Sequence, residues 1–109
     1  EWADRYITAT GTGAPADWMA PSQAKSMAKR AATLDAYRQL LEQIKGLRLK
    51  SQTTVKDFVT QNDQIRSKVN GFIKGGQVKN VRFLQDGTVE VDVRLYLGDM
   101  WKIIAKYYQ

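Results

Sequence analysis

The run Asp86-Gly87 followed by Thr88-Val89-Glu90-Val91-Asp92-Val93-Arg94-Leu95-Tyr96-Leu97 constrains the fold more than any other part of the chain. Its strict alternation puts Val89, Val91, Val93, Leu95 and Leu97 on one side of an extended backbone and Glu90, Asp92, Arg94 and Tyr96 on the other. The segment is therefore predicted to be a strand of a sheet with one buried and one polar face. Asp86-Gly87 predicts a tight hairpin, because both residues tolerate the left-handed backbone such a turn requires, and it pairs this strand with a second over Val78–Leu84. A sheet with one apolar side needs a covering layer.

The best candidate for that layer is a helix of roughly 23 residues, capped by Ser22 and stopped by Gly46. Ala24, Met27, Ala28, Ala31, Leu34, Leu41 and Ile44 recur along it with helical spacing. Its other side carries Lys25, Lys29, Arg30, Gln39, Glu42 and Gln43, which predicts a wet outer face. Six alanines between Ala20 and Ala36 permit close approach to a sheet or to another subunit.

Arg5–Gly11 reads as a first strand, leading into a flexible stretch from Gly11 to Pro21. Leu47–Lys50 with Thr53-Thr54-Val55 reads as a short second strand before an ambiguous crossing segment. Ile65, Val69, Phe72 and Ile73 share a helical face from about Asn62 until Gly75-Gly76 ends the pattern. Asp99 can start a C-terminal helix with a stripe of Met100, Ile103, Ile104, Tyr107 and Tyr108, although Trp101-Lys102-Ile103 is also compatible with a strand. The expectation is one domain over residues 1–109, α+β and two-layered, its long helix packed on a small twisted sheet. The approximate order is βαβαββ with a short C-terminal helix.

Composition narrows the chemistry. Having neither Cys nor His, the chain lacks a thiolate nucleophile, a cysteine zinc site and the usual neutral-pH base, so no catalytic, metal-binding or cofactor-binding residues are assigned. Gly11-Thr12-Gly13 follows a strand as a phosphate loop would, but the third glycine and the Gly-Lys-Ser/Thr ending are absent, and the turn reading is preferred. The carboxylate pairs Asp57/Asp63 and Glu90/Asp92 have no further oxygens or defined metal loop around them, and Lys79, Arg82, Arg94 and Lys102 are available to compensate charge locally.

The formal net charge is +6, distributed evenly: residues 1–60 hold 9 basic and 6 acidic positions and residues 61–109 hold 8 and 5. There is thus no basic arm of the kind that tracks a nucleic-acid backbone. Lys68, Lys74, Lys79 and Arg82 beside Phe72 and Phe83 form the best nucleic-acid candidate, but Phe72 fits the helical stripe and Phe83 shares the Val81 side of its strand, where burial is expected. No apolar run is long enough to span a bilayer, residues 1–20 lack a signal-peptide pattern, and the opening at Glu1 predicts a processed or truncated product. Large apolar groups cluster at both ends. Trp2, Trp18, Trp101, Ile104, Tyr107 and Tyr108 are accordingly the candidate self-association residues, since one small core is not expected to enclose them all.

The run Ala24-Lys25-Ser26-Met27-Ala28-Lys29-Arg30-Ala31-Ala32, continuing through Leu34–Leu40, resembles the LPP20-like bacterial lipoprotein family. The resemblance extends through Gly46–Leu49, Thr53–Phe58, Asp63–Val69, Gly71–Gly75 and Asp86–Val91, covering about residues 6–97. Within the family, the overall form is most similar to the flagellar outer-membrane lipoprotein type that builds a ring or disk around the basal body. The resemblance implies a non-enzymatic structural protein on the periplasmic side of the outer membrane, held by a lipid on an upstream Cys. It also implies self-association and flagellar or other envelope proteins as partners. A general envelope lipoprotein or adaptor unrelated to flagella is the nearest rival, and a basic nucleic-acid-binding domain is a more distant one.

Overall fold

In a computed structural model, which describes residues 4–50 and 53–108, the elements run β1 (Tyr6–Gly13), α1 (Pro21–Lys45), β2 (Arg48–Lys50), β3 (Thr53–Thr54), α2 (Val55–Gln61), α3 (Asp63–Lys74), β4 (Gln77–Phe83), β5 (Val89–Tyr96) and α4 (Gly98–Tyr108). The expected α+β, two-layer plan is what is found: an antiparallel three-stranded sheet ordered β1-β5-β4, with the long helix on one face and a short C-terminal helix. The expected second strand is a small separate ribbon, β2 paired with β3. The crossing segment contains α2, begun by a reciprocal cap in which Thr54 Oγ1 accepts from the Asp57 N–H and Asp57 Oδ2 accepts from the Thr54 N–H.

β5 is central, and Val89, Val91, Val93 and Leu95 are buried on its α1 side. The hairpin closes through Leu84 N donating to Thr88 O at 2.8 Å and Gly87 N donating to Leu84 O at 3.0 Å. Gly87 alone takes the left-handed backbone, at φ 89°, whereas Asp86 contributes a carboxylate that accepts from the Thr88 N–H at 2.9 Å.

β1 continues to Gly13, so Gly11-Thr12-Gly13 belongs to the strand and is neither turn nor phosphate loop. Its glycines face the helix. A Cβ on Gly11 would overlap the Ala32 carbonyl oxygen and the Ala36 nitrogen, and one on Gly13 would overlap the Ala28 carbonyl oxygen. The strand and helix backbones therefore meet with no side-chain layer between them. This contact selects which stripe of α1 is buried: Ala24, Ala28, Ala32, Ala36, Leu40 and Ile44, spaced by four throughout. Met27 and Leu34, expected inside, are 47% and 45% exposed, because a seam lined by strand glycines admits only small side chains. The helix begins with Pro21 after Ala20, with no side-chain cap from Ser22, and ends as expected at Gly46.

At 25 residues α1 is about 37 Å long, against about 26 Å for the eight-residue strands β1 and β5. Leu40 and Ile44, both fully buried, lie level with Thr8–Thr10 of β1 and share one core cluster with Val55 and Val59 of α2, Ile65, Val69 and Ile73 of α3, and Met100 and Ile104 of α4. Burying two such aliphatics contributes about 1.5–3 kcal/mol each. The molecule is correspondingly elongated, 52 × 25 × 20 Å.

Two glycine substitutions with opposite outcomes test this packing. Gly11→Ala forces the backbones of β1 and α1 apart and is expected to lose about 2–3 kcal/mol in urea denaturation. Gly71→Ala, in α3 with no atom within 4 Å of the added methyl, is expected to gain about 0.5–1 kcal/mol. Equal effects at the two sites would refute the close seam.

Candidate interaction surface

The face of the sheet away from α1 is organised around Asp92 on the central strand. Arg82 of β4 donates from Nη1 and Nη2 to the two Asp92 oxygens at 2.7 and 2.8 Å, and from Nε to Glu90 at 2.9 Å. Thr10 of β1 donates to Asp92 at 2.7 Å and Asn80 of β4 at 3.2 Å, so one carboxylate ties all three strands together. Arg82 in particular, with Thr10 and Asn80 adding their hydrogen bonds, holds the Asp92 carboxyl well below the usual carboxylate range. The same two acidic partners push the Arg82 guanidinium up. This is a structural clasp, since every strong donor and acceptor in it is engaged within the sheet. The other carboxylate pair is also spent locally: Asp57 caps α2 and Asp63 pairs with Arg66. Among the described residues, no group of three or more acidic, His or Cys side chains comes together.

The basic and aromatic residues of the nucleic-acid candidate are not brought together on one surface. Arg82 lies on the open face in the clasp, Phe83 is on the opposite side of the same strand, and Lys68 and Lys74 are on α3. Phe83, expected to be buried, is 50% exposed because α1 lies over β1 and β5 and leaves β4 uncovered; the Lys25 ammonium sits 5.2 Å from its ring centre. Arg94 lies over the Tyr6 ring at 4.4 Å and lines a cleft of about 400 Å³ with Tyr6, Phe72, Gln77, Tyr96 and Asp99. Asp99 in the same wall offsets the guanidinium, so the cleft has no dominant sign.

The candidate self-association residues divide between two ends of the molecule. Trp18, in the loop between β1 and α1, is 82% exposed. Trp101 is half-buried against the core, and Ile104 is a correction: it is fully enclosed by its own domain and offers no surface to a neighbour. Trp2 lies outside the described residues, as do the side chains of Tyr107 and Tyr108. Tyr6 pairs with Tyr96, and Gly13 with Val89, so the loop after β1 and the helix after β5 leave the sheet at opposite ends.

Three helix side chains not singled out as a set in the sequence act on the edge of β1. Gln43 Nε2 donates to Thr8 O at 2.9 Å, Gln39 Nε2 donates to Thr10 O at 2.8 Å, and Asp35 Oδ2 accepts from Thr12 N at 2.9 Å. Residues four apart on the helix meet residues two apart on the strand, because about 6 Å of helix matches about 6.6 Å of strand. Gln39 and Gln43, expected on the wet face, therefore seal a sheet edge.

The carboxylates of the open sheet face are thus committed to holding the sheet of a small α+β domain. The chain belongs to the LPP20 lipoprotein family, whose model matches residues 3–96. Membership places it among bacterial lipoproteins, which are membrane-associated proteins of the cell envelope. Among curated proteins, none matches the chain in sequence.

The depressed Asp92 carboxyl gives a signed pH prediction. A carboxyl whose folded pKa lies below its unfolded value stabilises the fold above the unfolded value and loses that contribution as pH falls. The melting-temperature gap between the native chain and Asp92→Asn is expected to be largest near neutrality and to shrink progressively below about pH 4. A gap independent of pH would mean that the charge of Asp92 contributes nothing.

Proposed function

We propose that this domain is a non-enzymatic structural subunit of the bacterial envelope that self-associates end to end. Its setting is the periplasmic side of the outer membrane, where a lipid carried by the full-length protein holds it. One observation carries the reading: the 52 Å long domain presents different surfaces at opposite ends, with Trp18 82% exposed at one and the partly exposed Trp101 and Ile103 of α4 at the other. Contacts between unlike surfaces repeat head to tail and close into rings when the rotation per subunit allows. The overall form, which within the family resembles the flagellar type, favours a ring or disk at the basal-body periphery, required for motility. The family match by itself supports only the broader reading of a general envelope lipoprotein. Loss of motility without envelope leakage on gene deletion is expected for the flagellar role; leakage with intact motility would assign the general one.

Light scattering coupled to size exclusion tests the association itself, on the soluble chain and on the lipidated full-length protein in detergent. Discrete particles larger than a monomer are expected in at least one form. Trp18→Ala, at a side chain with little contact to its own core, is expected to weaken association tenfold or more, about 1.4 kcal/mol, with an unchanged circular dichroism spectrum. A strict monomer in both forms would sink self-assembly.

A further inference from the structure

The two edges of the three-stranded sheet differ. Along β1, one outward backbone group each of Thr8, Thr10 and Thr12 (two carbonyls and an N–H) is engaged by Gln43, Gln39 and Asp35 of α1, which lie along that edge. Along β4, no backbone or side-chain group among the described residues takes the outward positions, and Gln77–Asn80 are exposed throughout. The Leu84–Thr88 hydrogen bond fixes the parity of the strand: Arg82 and Asn80, two and four residues back, bond inward to β5, and Val81 and Phe83 direct their N–H and C=O groups outward. A bulge at Lys79 limits the regular free edge to Asn80–Phe83, which blunts indiscriminate pairing and leaves room for one short strand.

The surface beside this edge has a definite chemistry. On the α1 side, Phe83, Val78 and Leu84 are 50%, 46% and 42% exposed, forming an apolar strip that α1 does not reach. Between Phe83 and the first turns of α1 lies a cleft of about 470 Å³ lined also by Pro21, Ser22, Lys25, Ser26 and Lys29. No acidic residue lines it or the adjoining cleft around Leu84. We propose that β4 is the acceptor edge for an extended, acidic segment of a partner protein, added as a fourth strand. Its backbone pairs with Val81 and Phe83, an apolar side chain covers Phe83, and its carboxylates meet Lys25 and Lys29. A second copy of this chain is the wrong occupant: β4 against β4 would bring two sets of Lys25, Lys29 and Lys79 to one seam in a chain of net charge +6, and the β1 edge is already sealed.

The test uses a fluorescently labelled, end-capped peptide of alternating Glu and Val, with a Lys/Val peptide as control, read by anisotropy on the complete chain. Saturable binding of the acidic peptide is expected below about 1 mM, with at least tenfold weaker binding of the basic one. The double substitution Lys25→Glu with Lys29→Glu, on an exposed helix face, is expected to weaken binding at least tenfold. Val81→Pro removes an outward N–H without removing a β5 bond and is expected to do the same. Bound peptide should also slow amide exchange at Val81 and Phe83 in the unmutated chain, a readout that does not depend on how any variant folds. No saturable binding at about 1 mM, equal binding of both peptides, or unchanged exchange at Val81 and Phe83 would overturn the proposal. So would a dimer of the chain alone that Val81→Pro dissolves, which would give the edge to a second copy. Binding to phosphatidylglycerol vesicles that needs Lys25 and Lys29 but is indifferent to Val81→Pro, without peptide binding, would assign the lysines to a lipid surface instead. Trp18→Ala is expected to leave peptide binding unchanged, which separates failure here from failure of end-to-end association.

Discussion

The direct backbone contact between β1 and α1 sets the geometry of the whole domain. Because Gly11 and Gly13 meet Ala28, Ala32 and Ala36 without intervening side chains, the helix axis is drawn over the edge strand and away from the middle of the sheet. Two consequences follow from that displacement. Side chains on the β1 flank of the helix become long enough to reach the strand's outer backbone groups, which is how Gln39 and Gln43 come to hydrogen-bond carbonyl oxygens. The opposite flank falls short of β4, so Phe83 and Val78 remain outside the core although the strand is paired along its length. A bulkier seam would have centred the helix and exchanged this asymmetry for an evenly covered sheet.

The same displacement divides the core into two chemistries. Near the N-terminal half of α1 the layer is alanine against glycine and valine, where close approach replaces side-chain volume and good packing depends on the absence of methyl groups. In the C-terminal half of α1, alongside Thr8–Thr10 of β1, Leu40 and Ile44 need a container, and α2, α3 and α4 supply it. Ile104 is drawn into that container, which is why a residue placed by its type at an apolar terminus is unavailable as an interface. On the far face the sheet is held from outside by Asp92, whose bonds to β1 and β4 cross the central strand. Charge-assisted hydrogen bonds there engage Glu90 and Asp92 with Arg82 inside the sheet.

The parts of this architecture legible in the sequence are those with strong local contrast. Alternation from Val89 to Leu97 and the turn at Asp86-Gly87 state the hairpin and its buried side, and Gly46 marks the end of the long helix. The face of that helix was harder to read because alanine is nearly neutral: a stripe spaced by four and made mostly of methyl groups is less conspicuous than Met27 and Leu34, which lie outside it. Gly11-Thr12-Gly13 reads as a loop because glycine usually marks freedom of the backbone, whereas here it marks proximity. The cap of α2 is carried by the local pattern Thr54-x-x-Asp57, which the reading of an ambiguous crossing segment passes over, and the edge seal by Asp35, Gln39 and Gln43 opposite Thr12, Thr10 and Thr8. Recognising the seal requires knowing that helix and strand lie side by side, which is tertiary information. Burial of Phe83 was wrongly expected for the same reason, since its side of the strand is apolar only where a helix covers it.

An exposed edge strand is a hazard in any protein that works at high local density, and the assembly proposed above would create that density. A domain with both edges open could grow a sheet from either side without limit. Sealing β1 with side chains leaves one acceptor, and the bulge at Lys79 together with the charge of Lys25 and Lys29 sets what that acceptor admits: a short strand of opposite sign. On the proposed reading, such an edge would accept one partner strand per domain and then stop. End-to-end contacts, by contrast, use two unlike surfaces and can propagate until the ring closes. On the two proposals made above, the close seam between β1 and α1 would keep growth of an assembly apart from recruitment to it, because the contact that draws α1 over one edge also leaves the other uncovered.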